Sequence, residues 1–435
     1  MFKDREKKKR KGNKKLYLST IEGGSDSTMK SFPKLISTIS GIEYPFERIE
    51  EFADNGESLE VFTPNLEKVK IKSGEYIWQR FADFLPFTQM SEDFHLGEGN
   101  TSLIQADQRL REFTGISNLL LKNETQNPTW SFKDRGSLAC IFMAKKMGEK
   151  VTATISSGNM GNSIAAYGAK AGIKVIVFVP EFIPKEKIMA ISIHGATIVK
   201  VKAEDYSMMK KHILSFAKKL KLRIVSGNGP VRVEGYKLTA FEMFEQMKNK
   251  IPDYIAVPTS ACGHIRGLFK GYRELKQAGI TDKLPKMIVV QAKNNSPIVT
   301  AIKQGKEHVV PFSNFHTIAE AITTGNPMGG DEIIHKAKEY NWLAESVSEE
   351  EILVSQRKLG EVGYFVEPAS ATSLYAVKKL FKAGKIEKGA TVVMMLTGTG
   401  LKDLDVFQYY HLDVRESDIE KIEDDVRNLL KNIYN

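Results

Sequence analysis

The sequence predicts an α/β fold in which a mostly parallel sheet is covered by helices on both faces. From about residue 118 to 293, short runs rich in β-branched residues alternate with helix-like stretches, and this rhythm is typical of consecutive strand–helix units. One more strand-like run, 391–396, follows late in the chain. Polar, glycine-rich segments stand where several predicted strands end, which is the edge at which open parallel sheets bind ligands.

The predicted strands are short runs rich in β-branched residues. They are 119–121, 151–155, 174–179, 197–201, 223–225, 254–257, 287–291 and 391–396. The predicted helices between them are 134–148, 161–171, 206–221, 235–249 and 265–278. Because parallel strands need long crossover connections, these helices support the parallel arrangement.

Both ends of the chain depart from this rhythm. Residues 1–15 hold nine Lys or Arg against two acidic residues, which predicts a basic disordered tail. Residues 16–90 mix turn residues with short apolar pieces, and we expect an N-terminal arm or small subdomain there. Residues 413–435 place apolar side chains on one face of a predicted C-terminal helix. The predicted core domain, which carries the α/β rhythm, is therefore residues 91–412.

Composition excludes several classes of protein. The tail holds +7 of the net charge of +10, so a nucleic-acid partner is not expected beyond a contact made by the tail itself. Cys140 and Cys262 have no C-x-x-C spacing, so neither a disulfide framework nor a metal site is predicted. No run of about 18 uncharged apolar residues occurs, so no membrane association is expected. These features predict a cytoplasmic enzyme or binding protein.

One polar segment, 127–136, carries a lysine at the predicted start of a helix. It reads Asn-Pro-Thr-Trp-Ser-Phe-Lys-Asp-Arg-Gly. Ser131 is the predicted helix cap, which places Lys133 in the first turn, where the helix dipole disfavours an ammonium ion. A lysine that loses its proton easily can react with an aldehyde cofactor. Taken alone, the pattern also suits a solvated surface lysine.

Three further segments have the composition of ligand-binding turns. The first follows the strand 151–155 and consists of Ser156, Ser157, Gly158, Asn159 and Met160. The second follows the strand 254–257 and consists of Thr259, Ser260, Ala261, Cys262, Gly263 and His264. The third, 396–400, gathers the hydroxyl of Thr397 with glycines. A single such turn is a weak signal, whereas several at strand ends indicate one site.

Five segments, in this order along the chain, resemble the motifs of threonine synthases and their relatives among pyridoxal phosphate enzymes of fold-type II. They are 96–101 (L-G-E-G-N-T), 127–136 (N-P-T-x-S-F-K-D-R-G), 156–161 (which begins S-x-G-N), 228–235 (N-x-x-x-R-x-E-G) and 396–403 (L-T-G-x-G-L-K-D). The matches extend over roughly residues 95–403. The resemblance implies two open, mostly parallel sheets, a small N-terminal arm and a smaller mobile subdomain at about 138–225.

The resemblance also implies a cofactor, pyridoxal phosphate, and roles for individual residues. Lys133 would hold the cofactor covalently and act as the proton-transfer base. Asn159 would bind the phenolic oxygen of the cofactor, residues 259–264 would hold its phosphate, and Thr397 would face its pyridine nitrogen.

For the substrate, the resemblance implies a phosphorylated amino acid. The segment from Ser156 through Met160 would bind the substrate carboxylate, and Arg232 would bind the phosphate with its guanidinium fork. Because Gly229 and Pro230 precede it, Arg232 is expected in a turn from which it projects into a ligand cleft. A structural salt bridge between Arg232 and Glu234 is the alternative. The expected reaction converts O-phospho-L-homoserine and water to L-threonine and phosphate, in a homodimer.

Some positions depart from the family pattern. Trp130 stands where many threonine synthases have glycine, Met160 where many have threonine, and 260–264 differs from G-N-x-G-N. Three alternatives therefore stay open: cysteate synthase-like β-replacement on O-phosphoserine, dehydration of serine or threonine, and a non-catalytic regulatory protein of the same fold. Arg232 argues against dehydration, because serine and threonine carry no phosphate.

Overall fold

The computed structural model describes residues 33–434, apart from 49, 87–91, 157, 182, 184, 204–205, 314–315 and 412. The predicted basic tail, 1–15, therefore lies outside the described residues. The contacts divide the chain into one unit that ends at Lys402 and a second unit, Asp403–Asn435. The second unit carries the helix Ile422–Tyr434, which begins later than the predicted C-terminal helix.

The largest sheet has six strands, of which five are parallel. In spatial order they are Leu343–Val347 (β11), Lys286–Ala292 (β10), Tyr254–Pro258 (β9), Thr391–Leu396 (β12), Asn118–Asn123 (β5) and Leu103–Gln105 (β4). The edge strand β4 pairs antiparallel with β5. Because β12 lies between β9 and β5, the segments that follow these three strands meet at the same edge of the sheet.

A second sheet is formed by three parallel strands within residues 138–225. They are Val151–Ile155 (β6), Lys174–Pro180 (β7) and Thr197–Val201 (β8). The predicted strand 223–225 is reduced to a single bridge between Ala153 and Ile224. In the N-terminal segment, a small antiparallel sheet is formed by Leu35–Ser37 (β1), Glu43–Tyr44 (β2) and Leu59–Val61 (β3).

Helices connect the parallel strands, as the sequence predicts. The α-helices up to β9 are Ile77–Arg80 (α1), Gln108–Thr114 (α2), Lys133–Lys146 (α3), Asn159–Ala171 (α4), Lys185–Ser192 (α5), Tyr206–Leu220 (α6) and Pro230–Gln246 (α7). Those after β9 are Gly263–Gln277 (α8), Pro297–Lys303 (α9), Gly330–Glu339 (α10), Glu349–Glu361 (α11), Pro368–Lys382 (α12) and Ile422–Tyr434 (α13). The predicted α/β class is confirmed.

Helix α7 packs between α3 and α8 and is buried over most of its length. Its two most central glutamates are paired: Glu234 contacts Lys237 and Lys270, and Glu242 contacts Lys122 and Arg135. Buried charges are tolerated when they are paired in this way. The pairing fixes α7 against the main sheet and so fixes the residues at its first turn.

In the part of the chain that the structure describes, no helix has both the length and the apolar character needed to cross a bilayer.

Candidate active site

Lys133 is the first residue of α3, and the chain reaches it from the carboxyl end of β5. The predicted cap at Ser131 is wrong: Phe132 precedes the helix, and no side chain caps it. Ser131 instead forms a bridge with Gly398, and the Phe132 N–H donates to the Thr397 carbonyl oxygen at 3.0 Å. The segment after β12 thus takes the place of a cap and holds the backbone of the two residues before Lys133.

The turn before Lys133 is organised around the buried carboxylate of Asp134. This carboxylate accepts hydrogen bonds from the Thr129 N–H at 2.6 Å and from the Ser163 hydroxyl at 2.6 Å. Trp130 lies in this turn at φ 62°, the left-handed region that favours glycine. The family pattern has glycine at this position. Trp130 therefore keeps a backbone conformation that favours glycine, although its residue type differs from the pattern.

Lys133 lies in surroundings that favour its neutral amine. Desolvation and the positive charge of Arg232 lower the pKa of Lys133 to about 7, and the carboxylate of Glu367 partly opposes them. The side chain is half-buried, and its Nζ lies 4.5 Å from the centre of the Phe132 ring. An amine that is partly deprotonated near neutral pH can act as a nucleophile and as a base.

Asn159 is the first residue of α4 and shares a partner with Lys133. Its Nδ2 atom donates to Oε2 of Glu367 at 2.9 Å, and a second N–H on the same nitrogen stays available for a ligand. Glu367 is buried, and burial raises its pKa. This glutamate was not among the predicted site residues, and it joins Lys133, Asn159 and Thr397 around one carboxylate.

The remaining residues of the loop before α4 surround its first turn. Ser156 is half-buried and Gly158 is exposed, whereas Ser157 lies outside the described residues. A Cβ atom on Gly161 would lie 2.4 Å from the Ser156 carbonyl oxygen, so this position needs glycine. The buried Met160 extends its sulfur toward Gly227, on the segment that leads to Arg232.

The segment 259–264 joins β9 to α8 and contains the predicted phosphate-binding turn. Thr259 contributes less than expected, because its N–H donates to the Val290 carbonyl and its hydroxyl to the Val257 carbonyl, each at 2.8 Å. Cys262 adopts φ 74°, and α8 begins at Gly263. The first N–H groups of a helix have no carbonyl partner within it, so they can bind an anion.

Two close contacts give this turn its shape. A Cβ atom on Gly263 would lie 2.1 Å from the Gly227 carbonyl oxygen. The Ser260 and Thr324 hydroxyls are 2.7 Å apart. The turn is therefore packed against the segment that precedes α7 on one side and against Thr324 on the other.

His264 is the second residue of α8 and is buried, with its ring stacked on Phe132 at a centroid distance of 3.9 Å. Neither ring nitrogen has a hydrogen-bond partner within the described part of the chain. Desolvation lowers the pKa of His264 to about 3, and nearby Lys133 contributes. A buried imidazole without partners is costly, so the ring indicates a polar ligand at this turn.

Arg232 is fully buried in the first turn of α7, not in the irregular turn that the sequence suggested. Its Nη1 lies 3.3 to 3.4 Å from Tyr236 Oη, Ser137 Oγ and the Lys133 carbonyl oxygen. Within the described residues, its Nε and Nη2 have no hydrogen-bond partner. The alternative salt bridge does not form, because Glu234 contacts Lys237 and Lys270.

Neighbouring residues hold Arg232 in place. A Cβ atom on Gly136 would lie 2.6 Å from Arg232 Cγ, so glycine leaves the room that this side chain occupies. The N-terminal segment contacts the loop that leads to Arg232, since Glu51 accepts the Ser226 N–H at 2.8 Å. Neither Glu51 nor Tyr236 was among the predicted site residues, because neither stands in a polar, glycine-rich segment.

These residues fit pyridoxal phosphate. Lys133 supplies an amine of lowered pKa for the aldehyde, the start of α8 supplies free N–H groups for a phosphate, and His264 supplies ring nitrogens without partners. Asn159 and Thr397 supply polar groups close to the same lysine and carboxylate. Among the described residues, no group of three or more His, Cys, Asp or Glu is placed to hold a metal ion.

The pKa of Lys133 leads to a testable pH dependence. Capture of added pyridoxal phosphate by the apoenzyme should accelerate as the pH rises from 6 to 8, with a midpoint near 7, because only the neutral amine attacks an aldehyde. An ordinary lysine has a midpoint near 10.4. Stopped-flow absorbance, with N-acetyl-lysine as the reference amine, measures this rate.

Two substitutions test the cause of the lowered pKa. Arg232→Ala removes a positive charge and should move the midpoint up, whereas Glu367→Gln removes a negative charge and should move it down. A capture rate that keeps rising through pH 9 in the wild-type protein would show that Lys133 has an ordinary pKa.

Comparison with known proteins agrees with this geometry. Residues 94–398 match the family described as pyridoxal-phosphate dependent enzyme. The chain is 38% identical to threonine synthase of Methanosarcina acetivorans over 341 residues, which cover 78% of this chain and 83% of that protein. It is 37% identical to threonine synthase of Methanocaldococcus jannaschii over 333 residues, which cover 76% and 81%.

Among solved structures, a maize serine racemase resembles this chain with a TM-score of 0.60 at 17% identity, covering 78% of this chain and 94% of the racemase. At this identity the likeness concerns the fold. It agrees with the two parallel-stranded sheets described above.

Proposed function

The chain belongs to the family of pyridoxal-phosphate dependent enzymes, and we infer that within this family it is a threonine synthase, which converts O-phospho-L-homoserine and water to L-threonine and phosphate. The identity to curated threonine synthases over most of the chain supports this reaction. The observation that carries it is the fully buried Arg232 beside Lys133, with two guanidinium nitrogens that have no partner among the described residues.

The cofactor would be held by Lys133, Asn159, Thr397 and the turn 260–264. When bound, pyridoxal phosphate supplies an electron sink for negative charge at the substrate Cα. The phosphate of the cofactor would lie at the start of α8, where the helix dipole and free N–H groups favour an anion.

Lys133 is the residue that moves protons. Its amine, whose burial lowers its pKa to about 7, would take the proton from the substrate Cα. A second proton must leave Cβ before the bond from Cγ to the phosphate oxygen breaks. Cγ is then protonated to a methyl group, the hydroxyl of water adds to Cβ and Cα regains a proton, which gives threonine.

Arg232 would bind the substrate phosphate. Its Nε and Nη2 atoms together present the two parallel N–H groups that match two phosphate oxygens. Burial strengthens this pairing, because water does not compete for the guanidinium. The substrate carboxylate would bind at the first turn of α4, at Ser156, Gly158 and Met160, with Ser157 in the same loop.

The main rival is β-replacement on O-phosphoserine, a substrate that is one methylene shorter. A panel assay should show phosphate release from O-phospho-L-homoserine with a kcat/KM about 10- to 200-fold above that for O-phospho-L-serine with sulfite, the effect typical of one methylene. Threonine should be the amino-acid product by chromatography, and L-serine and L-threonine should yield no keto acid. Cysteate as the main product would support the rival.

Two further properties belong to this proposal. A homodimer is proposed from the family resemblance, and sedimentation equilibrium of the full chain would test it. A cytoplasmic location is proposed from the low cysteine content, and fractionation of the source cells would test it.

A further inference from the structure

Ser370, the third residue of α12, lies beneath the segment that follows β12 and is fully buried. Its hydroxyl oxygen accepts two backbone hydrogen bonds, from the Thr397 N–H at 2.8 Å and from the Gly398 N–H at 3.0 Å. A serine hydroxyl has two acceptor positions and one proton to donate. Both acceptor positions are in use, so the orientation of the remaining O–H bond is restricted.

The Ser370 proton has one well-placed acceptor. The Thr397 hydroxyl oxygen is 2.6 Å away, whereas the Gly398 carbonyl oxygen is 3.4 Å away. Since O–H···O hydrogen bonds in proteins are about 2.5 to 3.0 Å long, Ser370 donates to Thr397. The Thr397 hydroxyl therefore accepts from Ser370, and its own proton must be donated elsewhere.

Within the described residues, the Thr397 hydroxyl has one weak acceptor, Oε1 of Glu367 at 3.4 Å. The other oxygen of this carboxyl group already accepts from Asn159. A shorter and better acceptor on a ligand would therefore take the proton of Thr397. Asn159, Glu367 and Lys133 surround the same place, so this ligand is the cofactor.

We propose that Ser370 is a positioning residue that makes Thr397 a hydrogen-bond donor to the aromatic nitrogen of the bound cofactor. The inference rests on the proposed function only in that pyridoxal phosphate is the cofactor, and it is independent of which amino acid is consumed. An aliphatic hydroxyl keeps its proton when it donates to a pyridine nitrogen, so the nitrogen stays uncharged. An uncharged ring withdraws electrons less strongly than a charged one. Removal of the substrate Cα proton therefore depends more on Lys133 as the base.

The experiment uses holoenzyme reconstituted with pyridoxal phosphate that carries ¹⁵N in its ring, without substrate. In the wild-type protein the ¹⁵N chemical shift should be that of an unprotonated, hydrogen-bonded nitrogen and should stay constant from about pH 6 to 9. Ser370→Ala frees the Thr397 hydroxyl to rotate, so the resonance should move toward that of a nitrogen without a hydrogen bond. The dissociation constant of the cofactor should rise about 2- to 13-fold, the effect of one hydrogen bond.

A double-mutant cycle separates positioning from a structural effect. Thr397→Val should move the ¹⁵N resonance in the same direction, and Ser370→Ala should then add no further shift in the Thr397→Val background. Ser370→Thr keeps the hydroxyl and should retain the wild-type shift. If Ser370→Ala does not fold, Ser370→Cys, a weak donor and acceptor, should give a smaller shift in the same direction.

Three results would overturn the inference. They are a protonated ring nitrogen in the wild-type protein, an unchanged resonance in the folded Ser370→Ala or Ser370→Cys protein, and an equal effect of Ser370→Ala with and without the Thr397 hydroxyl. Failure of the threonine synthase assay leaves this test intact, because no substrate is present. Failure of the wild-type protein to bind pyridoxal phosphate would instead contradict the proposed function as well.

Discussion

Replacing Lys133 with alanine is expected to lower kcat by about 10³-fold or more, because one side chain provides both the attachment of the cofactor and the base. The fold should be retained, since Lys133 is half-buried at the first position of α3. Alanine is also the best helix former. Steady-state phosphate release, with circular dichroism of the same samples, measures both effects.

A matched control lies at the other end of the same helix. Lys145→Ala removes an exposed lysine from α3 and should leave kcat within about twofold. After treatment with borohydride, the wild-type and Lys145→Ala proteins should carry the reduced cofactor on the peptide that contains Lys133. Recovery of the label on another lysine of the wild-type protein would remove the central assignment.

Replacing Arg232 with alanine is expected to lower kcat/KM about thirty-fold to several thousand-fold. This range corresponds to about 2 to 5 kcal/mol for a buried charged group that loses its partner. Arg232→Lys should recover little activity, because an ammonium cannot reproduce the two parallel N–H groups of the guanidinium. The absorption spectrum of the bound cofactor should stay normal, since the turn 260–264 holds the other phosphate.

The effect should depend on the phosphate of the substrate. Arg109→Ala, which removes an exposed arginine that contacts Asp107, is the control and should change kcat/KM less than twofold. The inhibition constant of inorganic phosphate should rise in Arg232→Ala and not in Arg109→Ala. Loss of the cofactor spectrum in Arg232→Ala, or a kcat/KM within twofold of wild type, would show that Arg232 is not the phosphate ligand.

The parts of the fold that were predicted correctly share a physical reason. The strands 151–155, 197–201 and 391–396 were predicted with the bounds that the structure gives, because each is a β-branched or apolar run that ends abruptly at a turn. Lys133 at a helix start was predictable for the same kind of reason, since Pro128 ends one element and apolar helical spacing begins soon after.

Other features depended on contacts between distant segments. Ser131 has the residue type of a helix cap, yet its backbone pairs with Gly398, which lies far along the chain. Arg232 was expected in an irregular turn because Gly229 and Pro230 precede it, whereas proline at a first helical position begins α7. The favourable backbone angle of proline at that position outweighs its usual role as a helix breaker.

Glu367 and Ser370 were missed although the sequence contains a signal for them. Glu367-Pro368-Ala369-Ser370 has the form of a helix start with proline at the first position. The signal did not show that this helix start lies beside Thr397 and Asn159, because that placement depends on β12 lying between β5 and β9. The order of strands in a sheet is not a local property of the sequence.

The fate of the water oxygen distinguishes hydration at Cβ from hydrolysis of the phosphate ester. With O-phospho-L-homoserine in water enriched in ¹⁸O, we expect threonine to gain one heavy oxygen at its β-hydroxyl and the released phosphate to gain none, because the bond between Cγ and oxygen breaks and water adds to Cβ. Mass spectrometry of both products measures this. Homoserine as the product, with the heavy oxygen in the phosphate, would mean that the enzyme cleaves the phosphorus–oxygen bond and is not a threonine synthase.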